Sequence, residues 1–148
     1  MKKLLTIALA FLCVLGMVGC SQQPQQVQGN QQVQGNQQVQ GNQLLAEGNV
    51  IKIDVSSLPE GYNYSFDGED AKEIIDYLSN LNLQSNFEEN PNEYSGMTWV
   101  IFLEYDNGDE LTVYHFGNMF IRTEKGSWYK MTYDEANRFD TLLDELNN

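Results

Sequence analysis

The chain has 148 residues and a formal net charge of −13, from 8 Lys and Arg against 21 Asp and Glu, with 41% hydrophobic residues. An acidic balance of this size repels phosphate backbones and anionic headgroups, which argues against nucleic-acid binding and against electrostatic docking on a membrane. Both cysteines, Cys13 and Cys20, lie near the N-terminus, so neither a disulfide framework nor a thiolate metal site is expected further along.

The chain opens on Met1-Lys2-Lys3, and residues 4–18 are almost unbroken apolar sequence. A cationic start before a run of this length has the build of a secretory signal peptide, and the run falls short of the ~20 residues a transmembrane helix needs. It ends on Leu15-Gly16-Met17-Val18-Gly19-Cys20. Small residues leading into a cysteine resemble the lipobox of bacterial lipoproteins, although Met17 stands where leucine is commonest. The resemblance implies that residues 1–19 are removed and that Cys20, diacylated through its sulfur, becomes the mature N-terminus. It places the protein outside the cytoplasm, lipid-anchored to the cell membrane. The motif and general build are similar to those of small Gram-positive lipoproteins with an uncharacterised domain. Loss of Lys2 and Lys3 takes Lys plus Arg from 8 to 6 against 21 acids, so the formal charge moves from −13 to −15. Attachment then falls to the lipid, and two acyl chains suffice for stable anchoring.

After Ser21-Gln22-Gln23-Pro24 come three tandem copies of Gln-Gln-Val-Gln-Gly-Asn, over residues 25–42. One Val and one Gly per copy offer too little apolar surface to offset an ordering entropy of roughly 1–2 kcal/mol per residue. Residues 20–42 are therefore expected to be the lipidated cysteine and a disordered tether, with a typical reach of about 25 Å. A β-helix reading of the hexapeptide period fails because three copies would make about one coil.

Residues 43–148 carry aromatic, β-branched and acidic residues in a length suited to one globular domain. Residues 50–55 alternate, with Ile51, Ile53 and Val55 opposite Lys52 and Asp54, as in a half-buried strand closed by Pro59 and Gly61. Asp67 then stands as an N-cap for a helix over 69–81 bearing Ile74, Ile75, Leu78 and Leu81 at helical spacing. Residues 82–96 read as a long loop. Strands over 97–105 and 110–116 flank Asn107-Gly108, predicted as a two-residue type I′ turn. Gly117-Asn118 suggests a type II′ turn into residues 119–123, and Glu124-Lys125-Gly126 a three-residue loop into residues 127–131. Thr132 with Glu135 forms a capping box for a closing helix with Ala136, Phe139, Leu142, Leu143 and Leu146 on its apolar face.

The expected fold is α+β: a single twisted antiparallel sheet in the order β-α-β-β-β-β-α, with helices on one face. This is similar to the element order of one half of a TATA-box-binding-protein-like fold, and no motif supports more than that. The turns assigned above put Trp99, Ile101, Leu103, Tyr114, Phe116, Met119, Ile121, Tyr129 and Met131 on the core face. They put Val100, Phe102, Glu104, Leu111, Val113, His115, Phe120, Arg122, Trp128 and Lys130 on the open face, although a one-residue bulge would exchange these sets locally.

His115 is the single candidate for proton transfer near neutral pH, but no nucleophile or orienting partner is indicated, and packing on Val100 is the plainer role. Arg122 comes out opposite Trp128, which suggests either guanidinium stacking or simple cover of the indole by the Arg stem. Asp106-Asn107-Gly108-Asp109-Glu110 resembles a calcium loop only in composition, because strands flank it. Carboxylates at Asp67, Glu69 and Asp70 suit a helix N-terminus without any metal. No catalytic residue, metal ligand or cofactor is assigned. The favoured reading is a noncatalytic binding or accessory lipoprotein whose open face, Val100, Phe102, Val113, His115, Phe120, Arg122, Trp128 and Lys130, meets an envelope protein or peptide. The alternatives are an envelope hydrolase using acids near residues 82–96, such as Glu88, Glu89 and Glu93, and a self-associating structural lipoprotein.

Overall fold

The computed structural model describes residues 37–148; the expected signal peptide, Cys20 and the first two repeat copies lie outside them. Eight antiparallel strands form one open sheet. In chain order these begin with β1 (Gln38–Gln40), β2 (Val50–Leu58) and β3 (Asn63–Phe66). Helix α1 (Gly68–Ser79) and β4 (Asn82–Gln84) follow, then the meander β5 (Thr98–Tyr105), β6 (Glu110–Phe116), β7 (Phe120–Thr123) and β8 (Tyr129–Lys130), and helix α2 (Tyr133–Leu146). Across the sheet the order is β1-β4-β8-β7-β6-β5-β2-β3. The expected α+β class, with one antiparallel sheet, is what the chain forms, with three short strands, β1, β3 and β4, added to the predicted set.

Both helices bury their apolar stripes in one cluster on one face of the sheet. Ala71, Ile74, Tyr77 and Leu78 of α1 and Ala136, Phe139 and Leu143 of α2 pack with Ile53, Val55, Trp99, Ile101, Leu103, Val113 and Ile121. The predicted capping box at the start of α2 is present, with the Glu135 amide donating to Thr132 Oγ1 and the Thr132 amide to Glu135 Oε2. The other oxygen of Glu135 accepts the amide of Asn82 at 2.9 Å, which ties the start of β4 to this helix. Trp99 Nε1 donates to Asp140 Oδ1 at 2.7 Å, so the largest ring of β5 is fixed to α2 by a bond to a charged acceptor.

The third repeat copy is part of the sheet and not of the tether. Gln38, Val39 and Gln40 pair with Gln84, Leu83 and Asn82, which places the domain boundary ahead of residue 43. Gly41 follows where no other residue fits, since a Cβ there would lie 1.8 Å from the Leu78 carbonyl oxygen. Leu44 then sinks into the core, 8% exposed.

Three local expectations are corrected. Ile51 is 49% exposed instead of facing the core with Ile53 and Val55, because the β2–β5 register shifts between Val50 and Lys52. The turn between β5 and β6 is longer by one residue than a type I′ hairpin: Tyr105 N–H donates to Asp109 O and Gly108 N–H to Tyr105 O. Of the turn residues only Gly108 has positive φ, at 86°, so Asp106-Asn107-Gly108 is a three-residue loop ending in a left-handed glycine. The pairing is Glu104 with Glu110 and Leu103 with Leu111. Because side chains alternate with period two, that one residue turns β6 over.

The next turn also carries an extra residue. Gly117 and Asn118 both have φ of 57°, and Phe116 pairs with Phe120, leaving Met119 as a bulge. The second addition cancels the first, so β7 returns to its predicted orientation. The third turn has the predicted register, with Phe120 opposite Lys130 and Ile121 opposite Tyr129. Only β6 is inverted: Leu111, Val113 and His115 lie beneath the helices, and Tyr114 and Phe116 lie on the open face.

Candidate functional site

The face without helices is divided by the segment after β4, which folds back over one end of it. Phe87 and Tyr94 from this segment place their rings 5.6 Å and 5.1 Å from Phe120. Phe116 and Trp128 close around the same ring, each at 6.4 Å. Phe120 is thereby fully buried, at 0% exposure, on the face that was expected to be open. The segment is pinned further by a Lys130–Glu89 ion pair, and the Lys130 ammonium holds the Glu89 carboxyl below its ordinary value. A groove of about 840 Å³ runs between this segment and the half-buried Trp128, lined by Gln84, Ser85, Asn86, Phe87, Glu88 and Glu89.

Beyond the covered end the face remains half-buried and open, with Val100, Phe102, Thr112 and Tyr114 on β5 and β6. Arg122 on β7 sits directly across from Tyr114. Its guanidinium carbon lies 5.2 Å from the Tyr114 ring centre and 4.7 Å from that of Trp128. The aromatic faces substitute for water around the cation, which suits the weakly hydrated guanidinium. Arg122 Nε is buried without a hydrogen-bond partner, and among the described residues Arg122 is in no salt bridge. Lys125 and Arg138 are likewise in no salt bridge among the described residues, so what sets Arg122 apart is a guanidinium held between two rings with its Nε buried and unbonded.

The structure therefore brings together five of the eight residues expected on the binding face. Val100, Phe102, Arg122, Trp128 and Lys130 share it in half-buried positions, and Phe120 lies on the same face but is sealed under Phe87 and Tyr94. Val113 and His115 do not belong to it, being 0% and 1% exposed on the opposite face. His115 lies across from Trp99 and Ile121, with its ring 5.4 Å from that of Phe139. Burial pushes its pKa down to about 4, and its Nε2 has no partner. A neutral imidazole sealed in an apolar core has no access to a substrate proton. Sequence reasoning missed Tyr114, Phe116, Phe87 and Tyr94. The first two would follow from reading Asp106-Asn107-Gly108 as a three-residue loop, and nothing local marks the last two.

Several of the acids considered for chemistry have partners of their own. Asp106 accepts from the amide and side chain of Asn49 at 3.2 Å and 2.8 Å, and those donors hold its carboxyl below its ordinary value. Asp109 accepts from Asn107 Nδ2 at 2.9 Å. Glu93 accepts from Asn90 Nδ2 at 3.2 Å. Among the described residues no three His, Cys, Asp or Glu side chains are grouped as metal ligands would be, and no helix is long and apolar enough to cross a membrane.

No family model, curated protein or solved structure matches this chain. With β1, β3 and β4 added, the chain departs from the element order of a TATA-box-binding-protein half, and the surface must be read from its own chemistry.

Proposed function

We propose that this chain is a lipid-anchored protein of the cell envelope that binds an envelope protein or peptide, without catalysis, through the open end of its sheet. The observation that supports this is the Arg122 guanidinium between Tyr114 and Trp128, with no carboxylate of its own. Such a group offers a stacking surface and unpaired donors side by side, and Arg and Trp are the residue types that dominate protein interfaces. Val100 and Phe102 supply the apolar area next to it. A peptide presenting an acidic or carboxamide side chain beside an apolar one would match that pattern.

The test is crosslinking and mass spectrometry on intact cells, followed by pulldown of the identified partner with Arg122→Ala/Trp128→Ala. Capture should be lost while the far-ultraviolet circular dichroism is unchanged; undiminished capture would end the proposal. Anchoring is tested separately by Cys20→Ser, which should move the protein from the membrane to the medium or soluble envelope fraction. Retention at the membrane would remove the lipid anchor from the proposal without touching the binding face.

A further inference from the structure

Strand β1 is one copy of a hexapeptide that the chain contains three times: residues 25–30, 31–36 and 37–42 all read Gln-Gln-Val-Gln-Gly-Asn. The contacts that hold the third copy are made by groups that the other two also possess. The Gln37 carbonyl accepts from the Ser85 amide at 3.1 Å and the Ser85 hydroxyl at 3.2 Å. Val39 pairs with Leu83 and packs against the core. Gln40 Nε2 donates to Asn82 Oδ1 at 3.0 Å, and the Gly41 amide to Leu81 O at 2.8 Å. The first anchoring side chain outside the repeat is Leu44, and Asn42 and Gln43 before it are exposed.

We propose that the slot along β4 is not reserved for the third copy: residues 31–36, and then 25–30, take its place in the same chain while the displaced copy loops out at the exposed Asn42–Gln43 junction. Slippage of a strand is normally prevented because a one-residue shift sends its apolar side chain to the wrong face. Here a shift of six residues restores Val, Gln and Gly to the same positions. Smaller shifts are blocked, because the position against the Leu78 carbonyl admits only glycine and each copy has one. The registers differ in closing the extra loop, a cost that grows slowly with length, and in the short turn over Gly41–Leu44 with its Leu45 amide to Asn42 O bond at 3.3 Å, which the displaced junction gives up. The segment left between residue 20 and the sheet would be 21–36, 21–30 or 21–24, a tether that shortens in steps. That last consequence rests on the reading of Cys20 as the anchor; the exchange of registers does not.

The test is hydrogen exchange on the full chain, comparing Gly41→Ala with Gly29→Ala/Gly35→Ala/Gly41→Ala. In the single variant the second copy should occupy the slot. The Ser85 amide should lose at least about fifteenfold in protection, the factor for closing a six-residue loop, and a protected amide should move from residue 41 to Gly35. The triple variant, with no glycine to offer, should exchange at Ser85 at least about tenfold faster still. Gly29→Ala/Gly35→Ala, which leaves the third copy intact, should match the natural chain. Equal protection in the single and triple variants, whether both high or both low, would overturn the proposal. So would protection at Gly35 that rises with protein concentration, because the slot would then be filled by a second molecule.

Discussion

Arg122 lies with its guanidinium carbon 4.7 Å from the centre of the Trp128 ring, and the two side chains face each other across the β7–β8 hairpin. The pair was legible in the sequence because Glu124-Lys125-Gly126 keeps the predicted register. The second ring against Arg122, that of Tyr114 at 5.2 Å, arises only because β6 is turned over. Removing the pair one partner at a time should reveal a coupling of about 0.5–1 kcal/mol, the range for a partly exposed cation over an aromatic ring. Urea denaturation of Arg122→Ala, Trp128→Ala and the double variant measures it. Strict additivity would show that Arg122 and Trp128 do not stabilise each other.

Trp99 and Asp140 give a second expectation. The indole N–H is buried and has Asp140 as its acceptor, so Asp140→Ala leaves a buried donor unpaired and should lower stability by about 1–3 kcal/mol. Asp140→Asn keeps an oxygen in place and should cost clearly less. Equal losses in the two variants would mean that the negative charge, and not merely an oxygen in place, is what the indole N–H requires.

Glu135 links the capping box to β4. Burial pulls its pKa upward, but the amide of Asn82 and the amide and hydroxyl of Thr132 outweigh that and hold it below the ordinary 4.5. A carboxylate depressed in the folded state stabilises the fold above the unfolded value and loses that contribution as pH falls through the folded one. Glu135→Gln should therefore cost about 1 kcal/mol at pH 7, the usual worth of such a cap. The gap to the natural chain should close below pH 4.5, as chemical denaturation at a series of pH values would show.

His115 titrates with the opposite chemistry and the same direction of stability. Its neutral form is favoured in the core, with a pKa lowered from 6.5 to about 4 by burial. The fold is at full strength above pH 6.5 and weakens as pH falls from there to about 4, because the unfolded chain takes up the proton first. At about 1.4 kcal/mol per pH unit, that interval corresponds to roughly 3 kcal/mol. Subtracting the pH profile of His115→Gln from that of the natural chain isolates this contribution from the acids. A flat difference between pH 7 and 4 would place His115 in contact with solvent.

The misassigned strand shows where local reading stops. Asn107-Gly108 is the strongest two-residue hairpin signal, yet Gly108 alone takes positive φ and Asp106 is drawn into the turn. Asp106 also binds Asn49, on the segment leading into β2. Pairing of β5 with β2 as well as β6 therefore coincides with the longer turn. The result favours His115 in the core over Tyr114, an outcome that hydrophobic patterning would not choose. The added residue at Met119 then returns β7 to register, so Ile121, Arg122 and Phe120 keep their predicted sides although both preceding turns differ from expectation.

Local chemistry alone determined the two helices, the capping box of the second, the meander of four strands and the single-sheet class, because each rests on periodicity or on a cap spaced within one turn; Asp67 stands at the N-cap of α1 without a side-chain cap bond. The lipobox-like ending at Cys20 and the threefold hexapeptide are likewise properties of sequence order. Only tertiary structure decided that the third hexapeptide closes the sheet against β4, since its lone Val and Gly acquire meaning from Leu83 and the Leu78 carbonyl. It also decided that Phe87 and Tyr94 seal Phe120, and that Arg122 has two rings and no acid. Those are contacts between segments far apart in sequence, set by register and by how neighbouring strands pack, and no short window of residues contains them.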